Sequence, residues 1–162
     1  MNNDVTVYVN VLKDSLVQKK QVLEKLEELT AKQQQIVDED EISMDDFEAC
    51  MEDKETYIER LVQLERGFEH IYERVSEEIK AEPDKYKADI LQMQELIRGI
   101  TELSTRIQVL EKQNKTKLDN YFKEQRKEIR GARQNTKVAD SYYQNMANQP
   151  GLSAPQFMDQ KQ

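Results

Sequence analysis

The chain has 162 residues, 37% hydrophobic and 35% charged, with no Trp, four Gly and three Pro. That composition excludes a thick globular core and a fold of many short strands, and no run approaches the roughly 18 apolar residues of a membrane span. The net charge is −8, and a single Cys, Cys50, excludes an intramolecular disulfide and fits a reducing, cytoplasmic setting. The N-terminus also lacks the basic-then-apolar pattern of a secretion signal.

The first segment carries a local conflict. Val5, Val7, Val9 and Val11 alternate, which is a strand signal. Yet Val5, Val9, Leu12, Leu16, Leu23, Leu26 and Val37 fall on a 4-3 spacing, with Lys19, Thr30 and Gln33 in the gaps. A lone strand would leave its edges unpaired, and no second strand signal follows. The spacing predicts a helix over 3–38.

The run Asp38-Glu39-Asp40-Glu41 ends it by mutual repulsion. It lacks the alternating ligands, central Gly and closing Glu of a calcium loop, so it reads as a solvated turn. Ser43 followed by Asp46 resembles a capping box and opens a second helix. Its stripe is Phe47, Met51, Ile58, Leu61, Phe68, Tyr72, Val75 and Ile79, with Lys54 and Glu65 as polar interruptions. This is close to a heptad seam. Pro83 stops the helix, since the residue before proline is pushed out of helical geometry.

A third helix is predicted from Asp84. Its stripe is Tyr86, Ile90, Met93, Ile97, Ile100, Leu103, Ile107, Leu110, Leu118, Tyr121, Phe122 and Ile129, with Asn114 and Gln125 as polar members. Two short connections make neighbours antiparallel. The expected fold is all-α: an elongated, coiled-coil-like antiparallel three-helix bundle over 1–131. A short amphipathic helix follows over 132–146, then a flexible tail over 147–162 that holds Pro150, Gly151 and Pro155. Gly67 and Gly99 fall inside helices and suggest close helix approach, or a bend. Gly131 marks a candidate hinge.

Signals for chemistry are weak. His70 is the one histidine and Cys50 the one thiol, so a metal site lacks nitrogen and sulfur ligands. No Gly-rich phosphate loop is present. No enzyme activity, cofactor or metal is expected.

Charge is distributed unevenly. Residues 1–110 carry 14 Lys and Arg against 26 Asp and Glu, and residues 111–162 carry 10 against 6. The basic stretch Lys112, Lys115, Lys117, Lys123, Arg126, Lys127, Arg130, Arg133, Lys137 is interleaved with Glu111, Asp119, Glu124 and Glu128. Nucleic acid is disfavoured, because the chain is acidic overall and has no DNA-binding signature. A helix face balancing the acidic helices, or a surface steering an acidic protein, fits better.

Beyond Gly131, Val138, Tyr142 and Met146 recur every four residues, with Ala139 and Tyr143 beside them. No fourth helix is available to cover that stripe. It either caps the bundle or docks a partner's amphipathic segment. The candidate partner-binding residues are Leu118, Tyr121, Phe122, Ile129, Val138, Ala139, Tyr142, Tyr143 and Met146.

The seam "KETYIERLVQLERGFEHIYERV", a long third helix and the ending "ADSYYQNM…PQFMDQKQ" resemble FlgN-type flagellar export chaperones. The likeness covers most of the chain. It implies a cytoplasmic helical chaperone of the flagellar type III export system. Such a chaperone binds the C-terminal helices of hook–filament junction proteins (FlgK and FlgL type), prevents premature assembly and delivers them to the export gate. By position, the client site falls on Leu118 through Met146. A FliT-like chaperone of the filament cap protein is the neighbouring alternative, and a self-associating coiled-coil scaffold the more distant one. A homodimer is compatible with either reading, membrane insertion with neither.

Overall fold

A computed structural model describes residues 2–125, together with Lys137, Asp140, Ser141 and Gln144. Those residues form three long helices, α1 (Asn2–Val37), α2 (Met44–Ala81) and α3 (Lys87–Gln125). There is no strand among them. The alternating valines of the N-terminus are helical. Val5 and Val9 are buried, while Val7 and Val11 face out.

The connections form as the local sequence demands. Ser43 caps α2, its Oγ accepting from the backbone N–H of Asp46 at 3.3 Å. Side-chain caps of this kind contribute about 1 kcal/mol. Asp45 and Asp46 lie in the first turn, where negative charge suits the helix dipole. At the other end Glu82, which precedes Pro83, leaves helical geometry at φ −127°, ψ 63°. A turn follows over 83–86, and α3 starts at Lys87 instead of Asp84, with Tyr86 buried just before it.

Cross-helix contacts fix the directions. Ser15 Oγ donates to Leu64 O at 3.4 Å, Arg60 donates to Gln18 at 2.6 Å, and Arg74 lies 5.0 Å over the Tyr8 ring. Rising numbers in α1 meet falling numbers in α2, so the two are antiparallel. Lys13 pairs with Asp89, Arg106 with Glu27, and Gln34 with Gln113. Both series rise, so α3 runs parallel to α1. The first helix packs closely along both others, which approach each other less closely.

The buried residues of α1 are Val5, Val9, Leu12, Leu16, Lys19, Leu23, Leu26, Thr30, Gln33 and Val37. Their spacing alternates four and three without a break, and these are the ten positions the sequence singles out, polar members included. A 3.5-residue period keeps one seam facing its neighbours along the whole helix. Two apolar clusters result. The larger draws on all three helices, from Val5 and Ile79 at one end to Leu26 and Ile107. The smaller joins Val37, Ile42, Phe47, Leu118 and Phe122 at the α1–α2 connection.

Several stripe members fall elsewhere. Gln125 is exposed, and Leu110 is only half-buried. Met51, Glu65, Phe68 and Tyr72 are half-buried at the flanks of the seam, while Cys50, Leu64 and Ile42 are buried. The glycines also differ from expectation. A Cβ on Gly67 meets nothing within 4 Å, so no close helix approach demands it. A Cβ on Gly99 meets only the flexible Lys20 side chain, at 3.4 Å. Gly67→Ala is therefore expected to stabilise the fold by about 0.5–1 kcal/mol, since Ala loses less backbone freedom in a helix. A urea unfolding midpoint that fails to rise would show that position 67 needs glycine for another reason.

Candidate functional site

Three of the candidate partner-binding residues lie at the end of the bundle where α1 turns into α2. Leu118 and Phe122 sit one turn apart on α3 and are each 1% exposed. They pack against Val37, Ile42 and Phe47, with Ile36, Met44 and Met51 alongside. Tyr121 is half-buried beside them, its ring 6.1 Å from that of Phe122 and tilted by 60°. The chain's own hairpin thus covers the 118–122 part of the candidate partner-binding series, as the third helix's stripe expects. Ile129, Val138, Ala139, Tyr142, Tyr143 and Met146 lie outside the described residues, as do the hinge at Gly131 and nearly all of the helix expected over 132–146.

Behind this cluster the core turns polar. Lys54 of α2 is 0% exposed. Its Nζ donates to Gln33 Oε1 of α1 at 2.7 Å and pairs with Glu111 of α3. Gln33 Nε2 reaches Phe47 O at 3.4 Å. Thr30 Oγ1 donates to Leu26 O, and Asn114 Nδ2 donates to Thr30 O at 3.2 Å. Asn114 Oδ1 is buried with no hydrogen-bond partner among the described residues. Five polar side chains from three helices therefore occupy one level of the bundle.

Burial dominates the ionisation of the charged pair. It pushes the Lys54 ammonium below its ordinary range, and the Glu111 carboxylate partly opposes this. It pushes the Glu111 carboxyl up, against Lys54. Desolvating two charges offsets much of their attraction, so such a pair contributes little net stability while remaining damaging to break. A second pair, Lys19–Glu65 at 3.1 Å, bridges α1 and α2 inside the larger cluster. Burial lowers Lys19 in the same way.

Sequence reasoning recognises Lys54, Gln33, Thr30 and Asn114 as polar members of the stripes but passes over Glu111. The signal for it exists. From Tyr86 into α3, positions 86, 90, 93, 97, 100, 104, 107, 111, 114 and 118 continue a 4-3 spacing that runs through Ser104 and Glu111. Leu103 and Leu110, each one residue earlier, draw the eye because they are apolar. The backbone register places the glutamate inward at 111, and Lys54 compensates its charge.

Basic residues of α3 meet acidic ones. Lys117 pairs with Asp38 of the acidic turn, and Lys115 with Asp140 at 3.3 Å. The acidic residues Asp38 to Glu41 are exposed, as the reading of a solvated turn expects. Cys50 is 3% exposed and burial pushes its thiol up, so it behaves as a small apolar residue. His70 is exposed. Among the described residues there is no cluster of three or more potential metal ligands. None of their helices is long and apolar enough to cross a membrane.

Among the described residues the protein is all-helical: three long helices, an interior interrupted by charge, and aromatic residues near the end of the third. A family model described as FlgN protein matches residues 1–122. The chain belongs to the FlgN family, a family of flagellar export chaperones whose members bind flagellar export substrates. No curated protein and no solved structure matches it.

Proposed function

We propose that this chain is a cytoplasmic chaperone for hook–filament junction proteins of the FlgK and FlgL type. It covers their C-terminal helices, prevents premature assembly and delivers them to the export gate. The observation that carries the reading is one apolar series on the basic C-terminal stretch: Tyr121, Ile129, Val138, Ala139, Tyr142, Tyr143 and Met146, begun by Leu118 and Phe122, which the α1–α2 hairpin covers. In a family of export chaperones, such a series is suited to a client's amphipathic helix. The physics is that of a helix in a groove: burial of an apolar face supplies affinity, and i, i+4 anchors supply register. The 3.5-residue repeat of the buried positions supports reading the bundle as coiled-coil-like, a surface on which another helix packs readily. Ordering a segment on binding keeps affinity moderate, which suits a protein that must release its cargo.

The test is co-purification with junction proteins, full length and lacking their last helices. Capture of the full-length form alone supports the reading, and equal capture of both forms sinks it. Tyr142→Ala with Tyr143→Ala is expected to weaken capture roughly tenfold or more, as loss of interface aromatics does. The thermal midpoint should stay within about 2 °C, because few surface changes exceed ~0.5 kcal/mol. A drop of several degrees with capture intact would place the tyrosines in the core instead.

A further inference from the structure

The layer formed by Thr30, Gln33, Lys54, Glu111 and Asn114 lies between the two apolar clusters. On the larger side α3 contributes six buried apolar side chains, Ile90, Met93, Ile97, Ile100, Leu103 and Ile107. On the smaller side it contributes two, Leu118 and Phe122. The two clusters share no buried side chain, and the half-buried Met51 at the flank packs against both, so disturbing one cluster strips few contacts from the other. Opening at the layer also returns a lysine and a glutamate to water, which offsets the loss of their pairing. A segment held by few apolar contacts behind such a boundary opens at lower free energy than the whole fold.

We infer that residues 112–125 of α3 detach from the α1–α2 hairpin as a unit beyond the Lys54–Glu111 layer, and that the vacated groove takes one amphipathic helix of the exported client. The inference rests on the chaperone reading above and says where, and in exchange for what, the client binds. The groove left behind is lined by Ile36, Val37, Ile42, Met44, Phe47 and Met51. Its two methionines give it an adaptable wall. The side chains now filling it define the occupant: two large apolar residues one helical turn apart. Charge adds a second requirement. Asp38, Glu39, Asp40, Glu41, Asp45 and Asp46 are exposed around the groove, and the segment seated in it brings Lys112, Lys115, Lys117 and Lys123, with Lys117 paired to Asp38. The entering helix therefore carries flanking Lys or Arg.

Hydrogen exchange on the full chain tests the opening. Amides of 115–125 are expected to exchange on the order of 100-fold faster than those of 97–107. In the double variant Lys54→Met, Glu111→Leu, which makes the core continuous, exchange at 115–125 slows about tenfold or more while 97–107 changes less. Leu118→Ala should speed exchange at 115–125 alone. A labelled peptide of residues 112–125 serves as the probe for the groove. It should bind the wild-type chain, bind the double variant about tenfold more weakly, and be displaced by the client's last helix.

Equal protection of both segments overturns the inference, as does Leu118→Ala loosening all of α3 alike or peptide binding that ignores the double variant. Capture of junction proteins together with uniform exchange removes the opening and leaves the chaperone reading standing. Segmental exchange without capture of the junction proteins removes that reading, and the docking step with it.

Discussion

Glu111→Leu is expected to destabilise the protein by about 3–5 kcal/mol, because it leaves Lys54 fully buried with its charged partner gone. The Gln33 Oε1 acceptor at 2.7 Å is neutral and does not replace the carboxylate's charge. Adding Lys54→Met to that variant should restore stability to near the wild-type value, or exceed it by about 1–4 kcal/mol, since apolar side chains of similar volume carry no desolvation penalty. Urea unfolding of the four chains of this cycle measures both effects. In the single variant the deficit should shrink as pH rises toward the lysine range. Burial holds the Lys54 pKa in the folded state below its ordinary value. Above that lowered pKa the unfolded chain binds more protons than the folded one, so stability increases with pH until the ordinary lysine pKa is passed. Glu111 and, more weakly, Cys50 favour the Lys54 charge, and the variant removes the larger of these two influences. A loss under about 1 kcal/mol for Glu111→Leu would mean that water reaches Lys54 and that the layer is no true boundary.

How much of this was legible in the sequence differs by helix. In α1 every buried position follows from a 4-3 count, because one face meets two partners and the period never slips. In α2 the stripe holds at Phe47, Ile58, Leu61, Val75 and Ile79. It blurs at Met51, Phe68 and Tyr72, whose large side chains can cover a seam from its flank while staying half in water. Cys50 and Leu64 are buried although the stripe omits them, and Ile42 is buried although it lies in a connection, a class of position that periodicity does not address. The register of α3 is legible down to Phe122, but Glu111 is not, because residue type argues against burial and only the facing Lys54 resolves it. The candidate site shows the same limit. A sequence stripe at Leu118, Tyr121 and Phe122 says that a face will be covered. It does not say by what, and here the cover is Val37, Ile42 and Phe47, brought round by a short connection some 70–85 residues earlier.

The second large effect is expected at Leu103, in the middle of α3. Leu103 is 4% exposed and belongs to the larger cluster. Leu103→Ala should cost about 2–5 kcal/mol, the sum of lost transfer free energy and the cavity left behind. For a chain of this size that lowers the thermal midpoint by roughly 5–20 °C at about 2–4 °C per kcal/mol. Two controls make the result interpretable. Leu91 lies on the same helix but is 56% exposed, so Leu91→Ala should stay within about 0.5 kcal/mol. Ser104 is also 4% exposed and occupies the 4-3 position itself, with its Oγ bonded to Ile100 O at 2.9 Å. That bond lies within the helix and Ala is the better helix former, so Ser104→Ala should change stability by less than about 1 kcal/mol. A helix that tolerates Leu103→Ala but not Ser104→Ala would be rotated toward the strict heptad seam. In that case Leu103 would be a flank residue, and the six-to-two division of α3's buried side chains across the polar layer would no longer hold.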